Sequence, residues 1–371
     1  MKSQNFGYIP ALDHLRGFAA VLVALFHGVL YVHHRLLYGR EFDDTNWLVA
    51  PDPISAVIIE GHTAVALFFV LSGFIFASGL LDRELRYSQF LKNRFLRTYP
   101  LFLVFLLLGV WFYPQNLSWP ALFKSLFFMA NLPSAFNGGP FTFVAWSVAI
   151  EWQFYLIFPL LLALIRRFGP AVLLLLLLVA IVLRWSVYSE GADMRWYSYW
   201  SLLGRIDQFL AGMLAGYFYI RHFRQGRSMD VLGVIGAGLV LTSLFIFNRM
   251  GGGSAAGPVW VLWPTVEGIS WSLFLIGYLS LARHLNQWLD FRLASLGKIS
   301  YSIYFIHYVV LFYLMTNNLD GTLVVGGPVD RALINTVILV LPPTIVLAWL
   351  SFRFIEQPFL SLRGRYLNDR A

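Results

Sequence analysis

Arg16 and His27 stand eleven residues apart, and the stretch from Gly17 to Val32 between and beyond them carries no Asp, Glu, Lys or Arg. Eleven steps of about 100° make three turns plus about 20°, so the two side chains share one helix face, about 16 Å apart along the axis. Asp13, three residues before Arg16, lies near the same stripe. An ionisable group inside a membrane span is costly and by default marks function. The alternative for His27 is a neutral histidine bonded to a neighbouring helix. Arg16 has natural company in Arg94 and Arg97, spaced by three. Planar guanidinium groups suit phosphate, so these three arginines read as an anion clamp. For Arg83 and Arg86, membrane topology is explanation enough.

Other ionisable groups fall at similar depth, counted at about 1.5 Å per residue across a core of about 30 Å. Ser147, Glu151 and Tyr155 are spaced by four and share a helix face. Arg205, Asp207, Glu267 and His307 lie within about one turn of the level of His27 and Glu151. Isolated charges there would each cost several kcal/mol, so they must pair or line a wet cavity. The competing explanation is an ion-pair network that only fixes helix order. His307, with Tyr301 and Tyr304 near it, fits core or site equally.

Long apolar elements must carry these residues. The 371-residue chain is 58% hydrophobic and 12% charged, with mean hydropathy +0.68; a soluble protein carries about twice that charge. Repeated apolar runs of about 20 residues define an all-α polytopic membrane protein, read as one integral-membrane domain. Ten spans are predicted, near 15–35, 60–81, 98–113, 144–165, 170–188, 199–220, 229–247, 259–282, 296–316 and 331–352. Trp119 to Pro140 is apolar but short and reads as re-entrant or interfacial. The first run follows Asp13-His14-Leu15-Arg16 and closes without a small-residue cleavage site, so it reads as a span rather than a signal peptide.

With no cysteine, disulfides, thiol nucleophiles and thiolate metal sites are excluded, and no metal is expected. The net charge of +8 does not point to nucleic acid, because the basic residues cluster after every second span. Arg83 to Arg97, Arg166-Arg167, Arg221 to Arg227, Arg283 with Arg292, and Arg353 to Arg370 form those clusters. The alternation places both termini in the cytoplasm. No two-half repeat is visible, which disfavours a transporter. Gly212 and Gly216 read as helix packing.

Taken in order, these residues resemble the membrane acyltransferase family 3, whose hallmark is an arginine, ten residues and a histidine in the first span, here Arg16 and His27. Phe68 to Phe74, which contains Ser72, resembles its second-span motif, and Arg94, Arg97 and Pro100 its Arg-x-x-Arg-x-x-Pro. Trp146-Ser147 with Glu151, Gly297 to His307, and Glu356-Gln357-Pro358 match its later elements. The resemblance covers nearly the whole chain. It implies transfer of an acyl group, usually acetyl, from acyl-CoA to a carbohydrate hydroxyl, with no tightly bound cofactor.

On that reading Arg16, Arg94 and Arg97, with Asp13, hold the donor phosphates. His27 serves as general base or acyl carrier, and Glu151 orients it. The acceptor cavity would draw on Ser72, Trp146, Ser147, Tyr155, Arg205, Asp207, Glu267, Tyr301 and His307. O-antigen, exopolysaccharide and other glycans are all admissible acceptors, and membrane lipids surround the protein. A bacterial inner membrane is implied by the family. Because the chain ends soon after the tenth span, the form without the extra extracytoplasmic hydrolase-like domain is expected. The rival from another class is a transporter or flippase for a lipid-linked glycan, which would move its substrate without any acyl-CoA dependence.

Overall fold

Pro10 opens the first long helix, and Gly39, at φ 66°, closes it. Proline in a first turn gives up only an amide hydrogen that would go unpaired, and glycine takes the left-handed cap without a Cβ penalty. Between them α1 (Pro10–Tyr38) runs unbroken, longer at both ends than the predicted span. The computed structural model describes residues 7–40, 42–223 and 228–369. Arg224, Arg227 and Arg370 of the predicted basic clusters lie outside the described residues.

Then follow α2 (Pro53–Ile59), α3 (Thr63–Leu80), strand β1 (Arg83–Leu85), α4 (Tyr87–Phe112), α5 (Trp119–Leu126) and α6 (Ala145–Phe168). After them come α7 (Ala171–Ser189), α8 (Met194–Trp200), α9 (Leu202–Phe218), α10 (Asp230–Arg249) and α11 (Val259–Leu281). The chain closes with α12 (Gln287–Lys298), α13 (Ser300–Thr316), α14 (Pro328–Asn335), α15 (Leu341–Ser351), α16 (Gln357–Ser361) and β2 (Leu367–Asp369).

Among the described residues eight helices are long and apolar enough to cross a membrane, nine when α12 and α13 count as one span bent by 64°. This is an all-α, polytopic integral membrane protein. The predicted span 199–220 is α9, whose 17 residues continue through a π-helical turn, Tyr219–Phe223. Residues 119–140 hold α5, turns and the start of a 3-10 turn at Gly139–Phe141, all too short to cross. In α1 and α3, 72% of the most apolar stretch is buried inside the protein, against 22% in α7 and 28% in α10. The first pair is therefore the centre of the bundle, and the second turns its leucines outward to lipid.

The third span differs most from its predicted 98–113. Helix α4 starts at Tyr87, so Lys92, Arg94 and Arg97 are inside the helix rather than ahead of it. Hydropathy falls where charges begin, but backbone hydrogen bonding does not, and Pro100 is accommodated within the helix. The last span, Pro328–Ser361, alternates α-helix with π turns at Thr336–Val340 and Phe352–Glu356. Each π turn sits just before prolines, Pro342-Pro343 and Pro358. A proline ring collides with the carbonyl four residues back, and widening the helix there relieves the collision.

Two close approaches position the site. Helix α1 crosses the end of α12 so tightly that a Cβ on Gly297 would fall 1.9 Å from the Asp13 carbonyl oxygen. Helices α3 and α9 touch reciprocally. A Cβ on Gly73 would lie 2.1 Å from the Phe209 oxygen, and one on Gly212 would lie 2.1 Å from the Val70 oxygen. The small-residue spacing thus serves packing, as its pattern predicts. Gly212→Leu is expected to force α3 and α9 apart and cost about 1–3 kcal/mol or more. An unchanged melting temperature in detergent would show that the two helices are not held this closely.

Candidate active site: a stepped cavity

Helix α4 turns Asn93, Arg94 and Arg97 toward the start of α1, and between them opens a cavity of about 800 Å³. Asp13 and Arg16 of α1, Lys298 at the end of α12, and Arg363, Gly364 and Tyr366 after α16 complete its charged wall. A second, narrow cavity of about 90 Å³ shares Arg16, Ile75, Arg94 and Arg97 with the first. It runs inward past Ser72, Thr98, Glu151, Tyr155 and Tyr301 to Ser147 and Tyr304. The three arginines therefore stand at the step from wide to narrow.

Each is held differently. Arg16 donates to Asp13 Oδ1 at 3.1 Å, one turn away on the same helix. Arg97 donates to Glu356 Oε2 at 3.3 Å, and Glu356 also accepts from Ser302 Oγ, which ties the last span to α13. Arg94 has no carboxylate partner among the described residues. Its guanidinium lies over the rings of Phe76, Phe90 and Tyr155 at 5.0, 5.6 and 6.0 Å. Cation–π contact steadies the group without neutralising it. Outside the membrane-spanning helices, burial and then the charges of Arg97 and Arg94 pull the Arg363 guanidinium down to about 10. It stays protonated at neutral pH, against its neighbours.

In the narrow cavity Ser72 Oγ donates to Glu151 Oε1 at 2.6 Å, and Ser147 Oγ and Tyr304 OH are bonded at 2.7 Å. Tyr301 OH donates to the Thr98 carbonyl at 2.8 Å. Beyond Tyr304 come the histidines, with the Tyr304 and His307 ring centres 6.0 Å apart. His307 Nδ1 lies 3.1 Å from the Ile303 carbonyl, and its Nε2 lies 2.9 Å from His27 Nδ1. A carbonyl only accepts, so His307 carries its proton on Nδ1 and its Nε2 must accept. His27 then donates from Nδ1, which leaves the lone pair on its Nε2. The chain of two hydrogen bonds thus selects the basic tautomer of His27. Phe26, Tyr31, Phe143 and Tyr308 pack around that ring with centres 4.9 to 5.9 Å away.

The expected partnership of Glu151 with His27 is not what the fold builds: Glu151 bonds Ser72, and His27 bonds His307. Depth along a span fixes one coordinate and leaves the direction around the helix open. Arg205, Asp207 and Glu267 also lie apart from both cavities. Arg205 pairs with Glu267 at 3.2 Å, and Asp207 receives Arg184 on both oxygens at 2.8 and 2.6 Å, all of them buried. Trp146 packs on Tyr199 and Trp200, off the cavity wall. Arg184 escaped notice in the sequence, although a buried Asp207 demanded a cation from a neighbouring helix and Arg184 is the one charge in a leucine-rich span.

The site is thus a basic chamber that steps into a narrow polar channel, with a hydrogen-bonded histidine pair beyond it, inside a polytopic helical membrane protein. The profile of the acyltransferase 3 family, described as an acyltransferase domain, matches residues 9–353, and the chain belongs to that family. It is 25% identical over 390 residues to the O-acetyltransferase OatA of Staphylococcus aureus, covering 95% of this chain and 57% of that protein. Against the peptidoglycan O-acetyltransferase OatA of Listeria monocytogenes it is 26% identical over 399 residues, covering 95% of this chain and 56% of that one. The acyltransferase MdmB of Streptomyces mycarofaciens is 32% identical over 168 residues, 43% of this chain and 40% of that protein. The chain thus spans little more than half the length of the two OatA relatives. No solved structure matches.

Proposed function

We propose that this protein moves an acyl group, acetyl in the first instance, from acyl-CoA to a hydroxyl of a cell-surface carbohydrate. The step from wide to narrow cavity with three arginines at the join carries the reading. A coenzyme A thioester has that shape: a bulky phosphorylated nucleotide and a thin arm ending at sulfur. The nucleotide fits a chamber of about 800 Å³, within the usual range for ligand sites. The guanidinium groups meet the pyrophosphate, and the arm threads past Ser72 and Glu151 toward Ser147 and Tyr304. The clustering of basic residues at the chamber end supports a cytoplasmic donor entry and cytoplasmic termini.

His27 Nε2 is the base in this scheme. It takes the proton of the acceptor hydroxyl while that oxygen attacks the thioester carbonyl. The C–S bond breaks, the sulfur leaves as thiolate, and the thiolate recovers the proton from His27. Tyr304, bonded to Ser147, lines the channel with its ring 6.0 Å from that of His307, so in this scheme the thioester passes it on the way to His27. The names of the OatA relatives favour acetyl as the acyl group and a cell-wall glycan as one class of acceptor.

The deciding experiment measures binding and turnover of radiolabelled acetyl-CoA by the full chain in nanodiscs. Saturable binding with slow thioester hydrolysis is expected from the wild type. Arg16→Ala should weaken binding about tenfold or more, the worth of one charge-assisted contact. A wild-type protein that neither binds nor cleaves acetyl-CoA would return the transporter or flippase to first place.

A further inference from the structure

Helix α16 does not end the fold. The chain turns back along α4: Asn93 Nδ2 donates to the Gly364 carbonyl at 2.7 Å, and the Gly364 amide donates to Asn93 Oδ1 at 3.1 Å. The Arg86 amide then donates to the Tyr366 carbonyl at 3.0 Å, and β2 pairs with β1. Tyr366 is buried with its ring 5.6 Å from Phe90. This strap lies past the region matched by the family profile, which stops at residue 353. It brings Arg363 to the chamber wall.

We propose that Arg363 binds the 3′-phosphate on the ribose of the donor nucleotide, so that the C-terminal strap is a working part of the donor site. The inference rests on the acyl-CoA reading above and assigns the charges within it. Arg16, Arg94 and Arg97 line both cavities, whereas Arg363, like Arg83 and Lys298, lines only the wide one. In coenzyme A the arm is joined through the pyrophosphate, so the groups at the step meet the pyrophosphate. Arg363 faces what lies farther from the arm, and the charged group there is the 3′-phosphate, which carries nearly two negative charges at neutral pH. Arg363 is also held ready for such a group. Its Nε donates to the Leu360 carbonyl at 3.2 Å, and its terminal nitrogens donate to nothing among the described residues. The carboxylates that line the chamber among the described residues are already engaged, Asp13 with Arg16 and Asp82 with Arg221. A guanidinium pressed against like charges without a counter-ion is costly to keep unless an anion offsets it.

The test compares coenzyme A with 3′-dephospho-coenzyme A on the full chain in nanodiscs, by calorimetry, for wild type, Arg363→Ala and Arg363→Lys. The wild type should bind coenzyme A at least about tenfold tighter than the dephospho form. Arg363→Ala should lose that preference while keeping its affinity for the dephospho form, and Arg363→Lys should retain part of the preference. Equal weakening of both ligands in Arg363→Ala would make the strap merely structural and overturn the assignment, as would a preference that survives the alanine. A wild type that binds both ligands equally overturns the role of Arg363 alone. A wild type that binds neither overturns the donor reading beneath it.

Discussion

His27→Ala is expected to lose acyl transfer by about 10²–10⁴-fold, the usual worth of a positioned general base, with acetyl-CoA affinity and melting temperature near those of the wild type. The separation is expected on the proposed scheme because Arg16, Arg94 and Arg97 line the cavities whereas His27 lies beyond them. His27 touches neither cavity wall directly, and its polar partner is His307. His307 then acts through His27. Replacing it with Phe removes the Nε2 that His27 Nδ1 meets at 2.9 Å, which weakens the preference for the tautomer with its proton on Nδ1. We expect His307→Phe to lower kcat by about 10–100-fold with KM for acetyl-CoA unchanged. His307→Gln, which can still accept through its amide oxygen, should recover part of the rate and restore the shape of the pH–rate profile. Equal losses in both His307 variants, or a rise in KM, would show that His307 serves packing or donor binding instead. Full activity in His27→Ala would remove the mechanism altogether.

Spacing within a single helix was the legible part of this site. Arg16 and His27 share an unbroken α1, and Glu151 and Ser147 share a face of α6 that borders the channel. Their register follows from 3.6 residues per turn and needs nothing beyond the sequence. What lies between helices was legible only as depth. Counted along their spans, His27, His307, Glu151, Arg205, Asp207 and Glu267 read as one level, yet the fold separates them into a histidine pair, a serine–carboxylate contact and two ion pairs. Which of these partnerships forms depends on how α1, α9, α11 and α13 are rotated, and that is set by contacts such as Gly73 on Phe209 and Gly297 on Asp13. Arg363 was legible only as one more basic residue in a tail. Its place in the chamber comes from Asn93 and the strand pairing of Leu85 with Leu367, partners more than 250 positions away in sequence.

The Arg184–Asp207 pair should show the opposite behaviour from His27. Arg184 reaches both oxygens of Asp207 from α7 to α9, and it also donates to the Val261 carbonyl at 2.7 Å and Thr265 Oγ1 at 2.9 Å on α11. Both side chains are fully buried and neither lines a cavity. Taking away one member strands a charge in a medium that cannot solvate it, so Arg184→Ala or Asp207→Ala should each destabilise the protein by about 3–5 kcal/mol. Replacing both at once, Arg184→Met with Asp207→Leu, removes the stranded charge and refills the volume. Most of the loss should then return, because a buried ion pair is often no better than apolar packing of the same shape. Denaturation in detergent gives the four stabilities, and acetyl-CoA turnover by whatever remains folded gives the second axis. The double variant should work at nearly the wild-type rate. If it is stable but inactive, Asp207 belongs to the acceptor site after all, and the midplane charges are one functional cluster rather than a histidine pair flanked by helix-fixing bridges.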